Sequence, residues 1–329
     1  MRLRKVGLAI AGVVTVALAV TGCSETGSSS TATSAGGSAA AASCTKAAPS
    51  TVASPSAAAS SAAASSAPAS SAASSAPAAA GAPGLVEKGE AGTLTVGVKF
   101  DQPGLGLKAA DGTMSGFDVE VAKYVAGKLG VEESGITWKE TPSAQRETAL
   151  QNQEVDYIVA TYSITDARKE KVNFAGPYFV AAQDLLVKSD NTDITGPAAM
   201  AGKILCSVTG STSAQKVKDN YAADVALQEY GTYTECVEAL RSGAVDAVTT
   251  DNVILAGYAA QYPGELKVVG EGFSTENYGI GLKKGDTAGT AKINAAIAAM
   301  IADGSWKKAL EDTVGASDFN IPAPPTPSS

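Results

Sequence analysis

The 329-residue sequence contains no histidine. That absence removes Ser-His-Asp triads, Cys-His nucleophile pairs and every zinc site built on imidazole. Cysteine is scarce too. Cys23, Cys44, Cys206 and Cys236 form no CxxC pair, which argues against an all-cysteine metal site. No metal or cofactor is implied. Positive charge is thin, with 25 Lys and Arg against 33 Asp and Glu, a net of −8. An acidic chain with dispersed lysines argues against nucleic acid and against adsorption to an anionic membrane. No GxxxxGK[ST] run occurs, so a nucleotide-binding P-loop is unsupported.

What is present is unevenly spread. Arg2, Arg4 and Lys5 precede an apolar run from Val6 to Val20. At about 15 residues that run is too short for a transmembrane span and reads as an export signal over residues 1–22. The following Val20-Thr21-Gly22-Cys23 resembles the lipobox of bacterial lipoproteins, in which the cysteine is lipidated and becomes residue one. Cleavage there leaves 22 positive charges against 33 negative, a net of −11. Residues 24–84 are almost wholly Ser, Ala, Thr, Gly and Pro, with Glu25 and Lys46 the only charges. Such a segment cannot bury enough apolar surface to offset its ordering entropy, so a disordered tether is expected. Cys44 within it has no assignable role. The expected location is the extracytoplasmic face of the plasma membrane, with the chain anchored at Cys23.

About 235 residues, Leu85 to Ile321, remain to fold, which is large for one core and fits two lobes. Leu94–Lys99 reads as a short strand. Phe117, Val121, Val125 and Leu129 recur every four residues, one face of a helix. A helix near 143–152, a strand at Val155–Ala160 and a helical turn at Asp166–Val172 follow. This alternation predicts an α/β fold with mostly parallel sheet. A faint repeat sharpens the picture. Ala149-Leu150 followed by Val155-Asp156 and a strand aligns with Ala239-Leu240 followed by Val245-Asp246 and a strand. Two similar lobes would face their strand C-termini across one ligand cleft.

The arginines are informative. Beyond residue 22 there are only three, Arg146, Arg168 and Arg241. A guanidinium's planar fork matches a carboxylate through two parallel charged hydrogen bonds. Arg168 falls in the first turn of a short helix capped by Thr165 or Asp166, where a cation opposes the helix dipole. A position without local benefit points to an external anion; a surface salt bridge to Asp166 or Glu170 is the alternative. Arg146 opens a helix at the expected cleft, or else is an exposed neighbour of Glu147. Arg241 reads as a solvated charge at a helix C-terminus. Thr209-Gly210-Ser211-Thr212-Ser213 opens another helix with more hydroxyls than capping requires, a ready anion site. Cys206 and Cys236 lie in one lobe of an exported chain, so they are expected to form a disulfide, two buried thiols being the alternative.

Several stretches together carry a family resemblance. Gly116-Phe117-Asp118-Val119-Glu120-Val121, Thr161-Tyr162-Ser163-Ile164-Thr165-Asp166 with Arg168, Gly176-Pro177-Tyr178, Tyr278-Gly279-Ile280-Gly281 and Gly304-Ser305-Trp306 resemble, in order, the landmarks of family 3 extracellular solute-binding proteins. The resemblance covers roughly residues 92–321. It implies a two-lobed, periplasmic-binding-protein-like (type II) α/β fold, with lobe one at 92–182 and 278–321 and lobe two at 183–277. A tether would then occupy 23–91 and a flexible tail 322–329. Within the family, Lys99-Phe100-Asp101-Gln102-Pro103-Gly104 with a lipobox looks most like the glutamate-binding lipoproteins. The resemblance therefore implies a monomeric, non-enzymatic receptor that binds L-glutamate, or aspartate, glutamine or asparagine, and hands it to ABC permease subunits. The same fold also serves dehydratases and sensors that signal to membrane kinases.

Carried over residue by residue, it puts the ligand α-carboxylate at Arg168, an acidic side chain at Arg146 with Lys99 in support, and the ammonium at Asp251. Ser163, Thr161, Thr209, Ser211, Thr212 and Thr250 supply hydroxyls. Phe100 and Tyr162 form an apolar wall or belong to the core.

Overall fold

The computed structural model describes residues 83–317 and 319–327. The signal, the Cys23 anchor, Cys44 and the tether up to residue 82 lie outside the described residues. In chain order, lobe one begins with α1 (Leu85–Glu90), β1 (Leu94–Val98), β2 (Asp101–Gln102), β3 (Gly106–Lys108) and β4 (Met114–Ser115). It continues through α2 (Phe117–Lys128), β5 (Ile136–Glu140), α3 (Arg146–Gln151), β6 (Tyr157–Ile158), α4 (Asp166–Lys169) and β7 (Val172–Ala181). The chain then enters lobe two: β8 (Gln183–Lys188), β9 (Ile204–Val208), α5 (Ser213–Asn220), β10 (Ala226–Tyr230) and α6 (Tyr233–Ser242). After β11 (Ala247–Asp251), α7 (Asn252–Gln261) and β12 (Leu266–Val269), it returns through β13 (Glu276–Lys283) to α8 (Thr287–Ala302) and α9 (Ser305–Thr313).

The two main sheets have the same plan. One runs β5-β1-β6-β13-β7 and the other β10-β9-β11-β8-β12. The first three strands of each are mutually parallel, as the alternating pattern predicts. The fifth runs the same way, and only the fourth is reversed. β13 runs antiparallel to both β6 and β7, and β8 antiparallel to both β11 and β12. Four of the five strands in each sheet therefore share one direction, and the sheets are mostly parallel with one reversed strand each. The strands that carry the chain out of one lobe and back again pair with each other head to tail.

The sequence repeat has a physical cause. Asp156 Oδ2 accepts the N–H of Thr95 at 2.7 Å, and Asp246 Oδ2 accepts the N–H of Ile204 at 2.7 Å. Each aspartate ties the start of its lobe's third parallel strand to the start of the central one. The four-residue spacing in α2 is equally literal: Phe117, Val121 and Val125 are all buried against the sheet. Gly116 precedes them at φ 115°, where a Cβ would stand 2.2 Å from the carbonyl oxygen of Leu105. Phe117, Phe179 and Trp306 pack together with centroids 5.7–6.3 Å apart, and Trp306 Nε1 donates to Tyr178 O at 2.7 Å.

In keeping with a folded part that starts at Leu85, and not with a tether that runs to residue 91, residues 85–90 form α1. It buries Leu85, and the N–H of Leu85 reaches Asp286 Oδ2 at 2.8 Å. Leu85 is the first large apolar residue after the biased stretch, and the core claims it. No helix among the described residues is long and apolar enough to cross a membrane.

Cys206 and Cys236 are joined, linking β9 to α6 across 30 residues of sequence. Closing a loop of that length stabilises a fold by roughly 3 kcal/mol on the chain-entropy model. Reduction should lower the thermal midpoint of the protein by several degrees, read by differential scanning calorimetry with and without a strong reductant. An unchanged midpoint after verified reduction would contradict this.

Candidate functional site

Three segments of lobe one and three of lobe two converge on a narrow cleft between the lobes. Lobe one presents Ser143, Arg146, Thr161, Ser163 and Arg168; lobe two presents Ser211, Thr212, Ser213, Tyr233, Thr250, Asp251 and Ile254. Nearly all are polar. In a space closed from both sides, such side chains either satisfy one another or wait for a ligand.

Arg146 begins α3 after a 3₁₀ turn over Ser143–Gln145, and only 3% of it is exposed. Its Nη1 donates to Ala160 O at 2.9 Å, while the buried Nε has no partner among the described residues. Burial, then the charge of Arg168, pull its pKa down to about 10, so it stays a cation at neutral pH. Arg168 follows the cap Thr165, whose hydroxyl accepts the Arg168 N–H at 3.3 Å. Its Nη1 donates to Ser163 O at 2.9 Å, and its Nη2 reaches across the cleft to Gly210 O at 3.1 Å. The anion beside its Nε is Glu147, at 3.3 Å, rather than Asp166 or Glu170. Tyr162 lies beneath both guanidinium groups, its centroid 4.1 Å from that of Arg146 and 5.0 Å from that of Arg168. Its negative π-face offsets part of the repulsion between them.

Thr161 is held in the left-handed region at φ 44°. Its N–H donates to Asp118 Oδ2 at 2.9 Å, and Tyr178 O–H donates to Asp118 Oδ1 at 2.7 Å. The carbonyl of that same peptide, Ala160 O, is the one that anchors Arg146. One peptide unit thus connects a fully buried carboxylate to a buried guanidinium. Burial pushes the Asp118 pKa up to about 6.

On the opposite wall, Asp251 ends β11 with its Oδ2 accepting Tyr278 O–H at 2.5 Å. Burial first, and nearby Glu276 second, raise its pKa to about 7. The hydroxyls of Thr250, Tyr233 and Ser211 form a chain with links of 2.7 and 3.2 Å.

Most of the residues singled out from sequence meet here: Arg146, Arg168, Thr161, Ser163, Ser211, Thr212, Thr250 and Asp251. Three do not. Thr209 is exposed, with its backbone N–H spent on Tyr230 O, because Gly210 at φ 80° turns the chain between it and the cleft. Phe100 is half-buried against the hydrophobic core, with Lys108 Nζ 4.8 Å above its ring. Lys99 lies behind the lining, its Nζ 5.7 Å from the Tyr233 ring, and burial lowers its pKa to about 8. Tyr162 is buried under the arginines and does not line the cleft. Arg241 is partly exposed, pairs with Glu238 and Glu265, and stacks on Tyr262. Sequence reasoning passed over Tyr233, Glu147 and the role of Asp118. The box Thr232-Tyr233-Thr234-Glu235 marks a helix start, but nothing in it tells which way the tyrosine faces.

Among the described residues, no group of His, Cys, Asp and Glu could hold a metal ion. A cleft of two arginines, one carboxylate and a ring of hydroxyls between two like-built lobes offers charges that complement a small zwitterionic solute. The chain belongs to family 3 of the bacterial extracellular solute-binding proteins, whose profile matches residues 94–315. It is 53% identical over 245 residues to the glutamate-binding protein GluB of Corynebacterium efficiens, covering 71% of this chain and 83% of that one. A glutamine-binding protein of Geobacillus stearothermophilus is 41% identical over 207 residues, 63% of this chain and 78% of its own. Among solved structures, an ancestral arginine-binding protein bound to glutamine is 39% identical with a TM-score of 0.64, over 68% of this chain and 98% of that chain. These relatives are named as binding proteins, not as enzymes.

The raised pKa of Asp251 carries a sign. With a folded value of about 7 against a usual 3.8, the folded protein keeps a proton that the unfolded chain gives up between pH 4 and 7. Stability contributed by this group is present below that window and lost as pH rises through it. Asp251→Asn should therefore gain on the ligand-free wild type between pH 5 and pH 8, by on the order of 1–3 kcal/mol in urea titrations. A difference that stays constant with pH would count against an uncharged, buried Asp251.

Proposed function

We propose that the protein binds L-glutamate between its lobes and delivers it to the membrane subunits of an ABC importer, held at the outer face of the membrane by a lipid on Cys23. The observation that carries the ligand assignment is the second buried guanidinium. One forked cation, Arg168, answers the α-carboxylate that every amino acid has. Arg146, 3% exposed with an unpartnered Nε, is a further cation with no carboxylate of the protein against it. A desolvated charge of that kind calls for a ligand that brings a second carboxylate. Asp251 takes the ammonium, and the hydroxyls of Ser163, Thr161, Ser211, Thr212 and Thr250 complete the shells of the two carboxylates. Lys99, behind the wall, adds positive potential. Relatives named for glutamate and for glutamine support an acidic or amidic side chain in the pocket. The lipobox and the long polar segment before residue 83 support the anchor.

Glutamine is nearly isosteric with glutamate, so the site would reject it by leaving Arg146 unpaired and not by shape. Arg146→Gln should weaken glutamate by about 2–5 kcal/mol and narrow or invert its advantage over glutamine. Arg168→Ala should weaken both ligands alike. Calorimetric titration of wild type and both variants with each ligand tests this; an Arg146→Gln variant that keeps the wild-type preference ratio would rule out the side-chain assignment.

Asp251 must be ionised to hold an ammonium, and in the ligand-free protein it is half-protonated near pH 7. Binding should therefore release a proton at pH 6, and affinity should fall by up to about tenfold per pH unit below 7. Titrations at pH 6 in buffers of different ionisation enthalpy measure that release, and equal apparent enthalpies in all buffers would refute it.

A further inference from the structure

Gly257 lies in the middle of α7 in lobe two, and a methyl group built on it would stand 2.4 Å from the carbonyl oxygen of Pro103 in lobe one. The carbonyl carbon and Cβ of Pro103 follow at 3.2 and 3.5 Å, so the obstruction is mainly backbone and no side-chain rotation relieves it. Next to this contact, Tyr258 O–H donates to Asp101 O, and the N–H of Tyr233, first residue of α6, donates to Asp101 Oδ2 at 2.8 Å. Gly257, Tyr258, Asp101 and Pro103 do not line the cleft. Together they form a seam beside it where the lobes meet through main chain. Gly210 meets Ala144 as closely, at 2.6 Å, but its φ of 80° strains any side chain whatever the lobes do. Gly257 has no such excuse: its backbone is helical, and a helix interior prefers alanine to glycine.

We propose that Gly257 is an affinity-setting residue that never touches the ligand. Glycine at this point of α7 costs helix propensity but leaves room for the Pro103 carbonyl to come to rest on it when the lobes close. This rests on the reading of the cleft as a site that binds by closure. A residue that acts only on the closed form scales the apparent affinity of every ligand by one factor, because it changes the population of the competent state and not the contacts within it.

The test is Gly257→Ala, titrated calorimetrically with L-glutamate and with L-glutamine, alongside the thermal midpoint of the ligand-free protein. The expected result is a loss of about tenfold or more in affinity, equal for the two ligands, with a ligand-free midpoint that is unchanged or higher. Tyr258→Phe, which deletes the hydroxyl that reaches Asp101 O in lobe one and Thr234 Oγ1 in its own lobe, should weaken both ligands equally by a few-fold and guards against a folding defect in the first variant. Wild-type affinity in Gly257→Ala overturns the proposal. So does a loss confined to one ligand, which would place the effect inside the cleft. Failure of the wild type to bind any amino acid would instead remove the binding reading itself.

Discussion

Two guanidinium groups stacked on one tyrosine ring, buried between two lobes, are an arrangement that demands an anion. Arg146 and Arg168 repel each other, and burial has stripped both of the water that would screen them. The protein meets part of that demand with Glu147, with Tyr162 and with the carbonyls of Ala160, Ser163 and Gly210. Among the described residues, the buried Nε of Arg146 is left without a partner. Much of the local architecture follows from holding these two cations still. The left-handed Thr161, the buried Asp118 behind it and the short helix capped by Thr165 all fix one arginine or the carbonyls it holds.

The two lobes share this work unequally. Lobe one holds the cations on rigid turns at the ends of its parallel strands. Lobe two contributes the carboxylate of Asp251 and a chain of hydroxyls, groups that adapt by rotating about a single bond. Positive charge is thus concentrated on the first lobe, and hydroxyls with one carboxylate on the second.

Much of this was legible in the sequence because it is written in local signals. The period of four in α2 and the Val-Asp pairs at 155–156 and 245–246 are each satisfied within a short span or against the adjacent strand, so they appear as pattern. Arg146 and Arg168 could be singled out because arginine is rare here and both sit at helix starts. What was not legible depends on direction. Thr209 and Ser211 are two residues apart, yet Gly210 turns one outward and the other into the cleft. Tyr162 could be read as wall or core, and only the structure shows it buried beneath two cations. Leu85 is legible as the first large apolar residue after the low-complexity stretch, but the helix it opens is not, since six residues carry too little periodicity to show one. The antiparallel strands β8 and β13 escaped for a related reason, since strand direction is set by how the chain passes between lobes.

The Cys206–Cys236 bridge acquires a meaning from what adjoins each of its ends. Cys206 lies in the strand that runs into Ser211, Thr212 and Ser213, and Cys236 sits one helical turn after Tyr233. The bond therefore sutures two separate parts of the lobe-two lip, the serine-rich loop and the tyrosine. The serine-rich loop and the tyrosine are thereby held at a fixed spacing, as parts of one covalently braced plate facing the arginines.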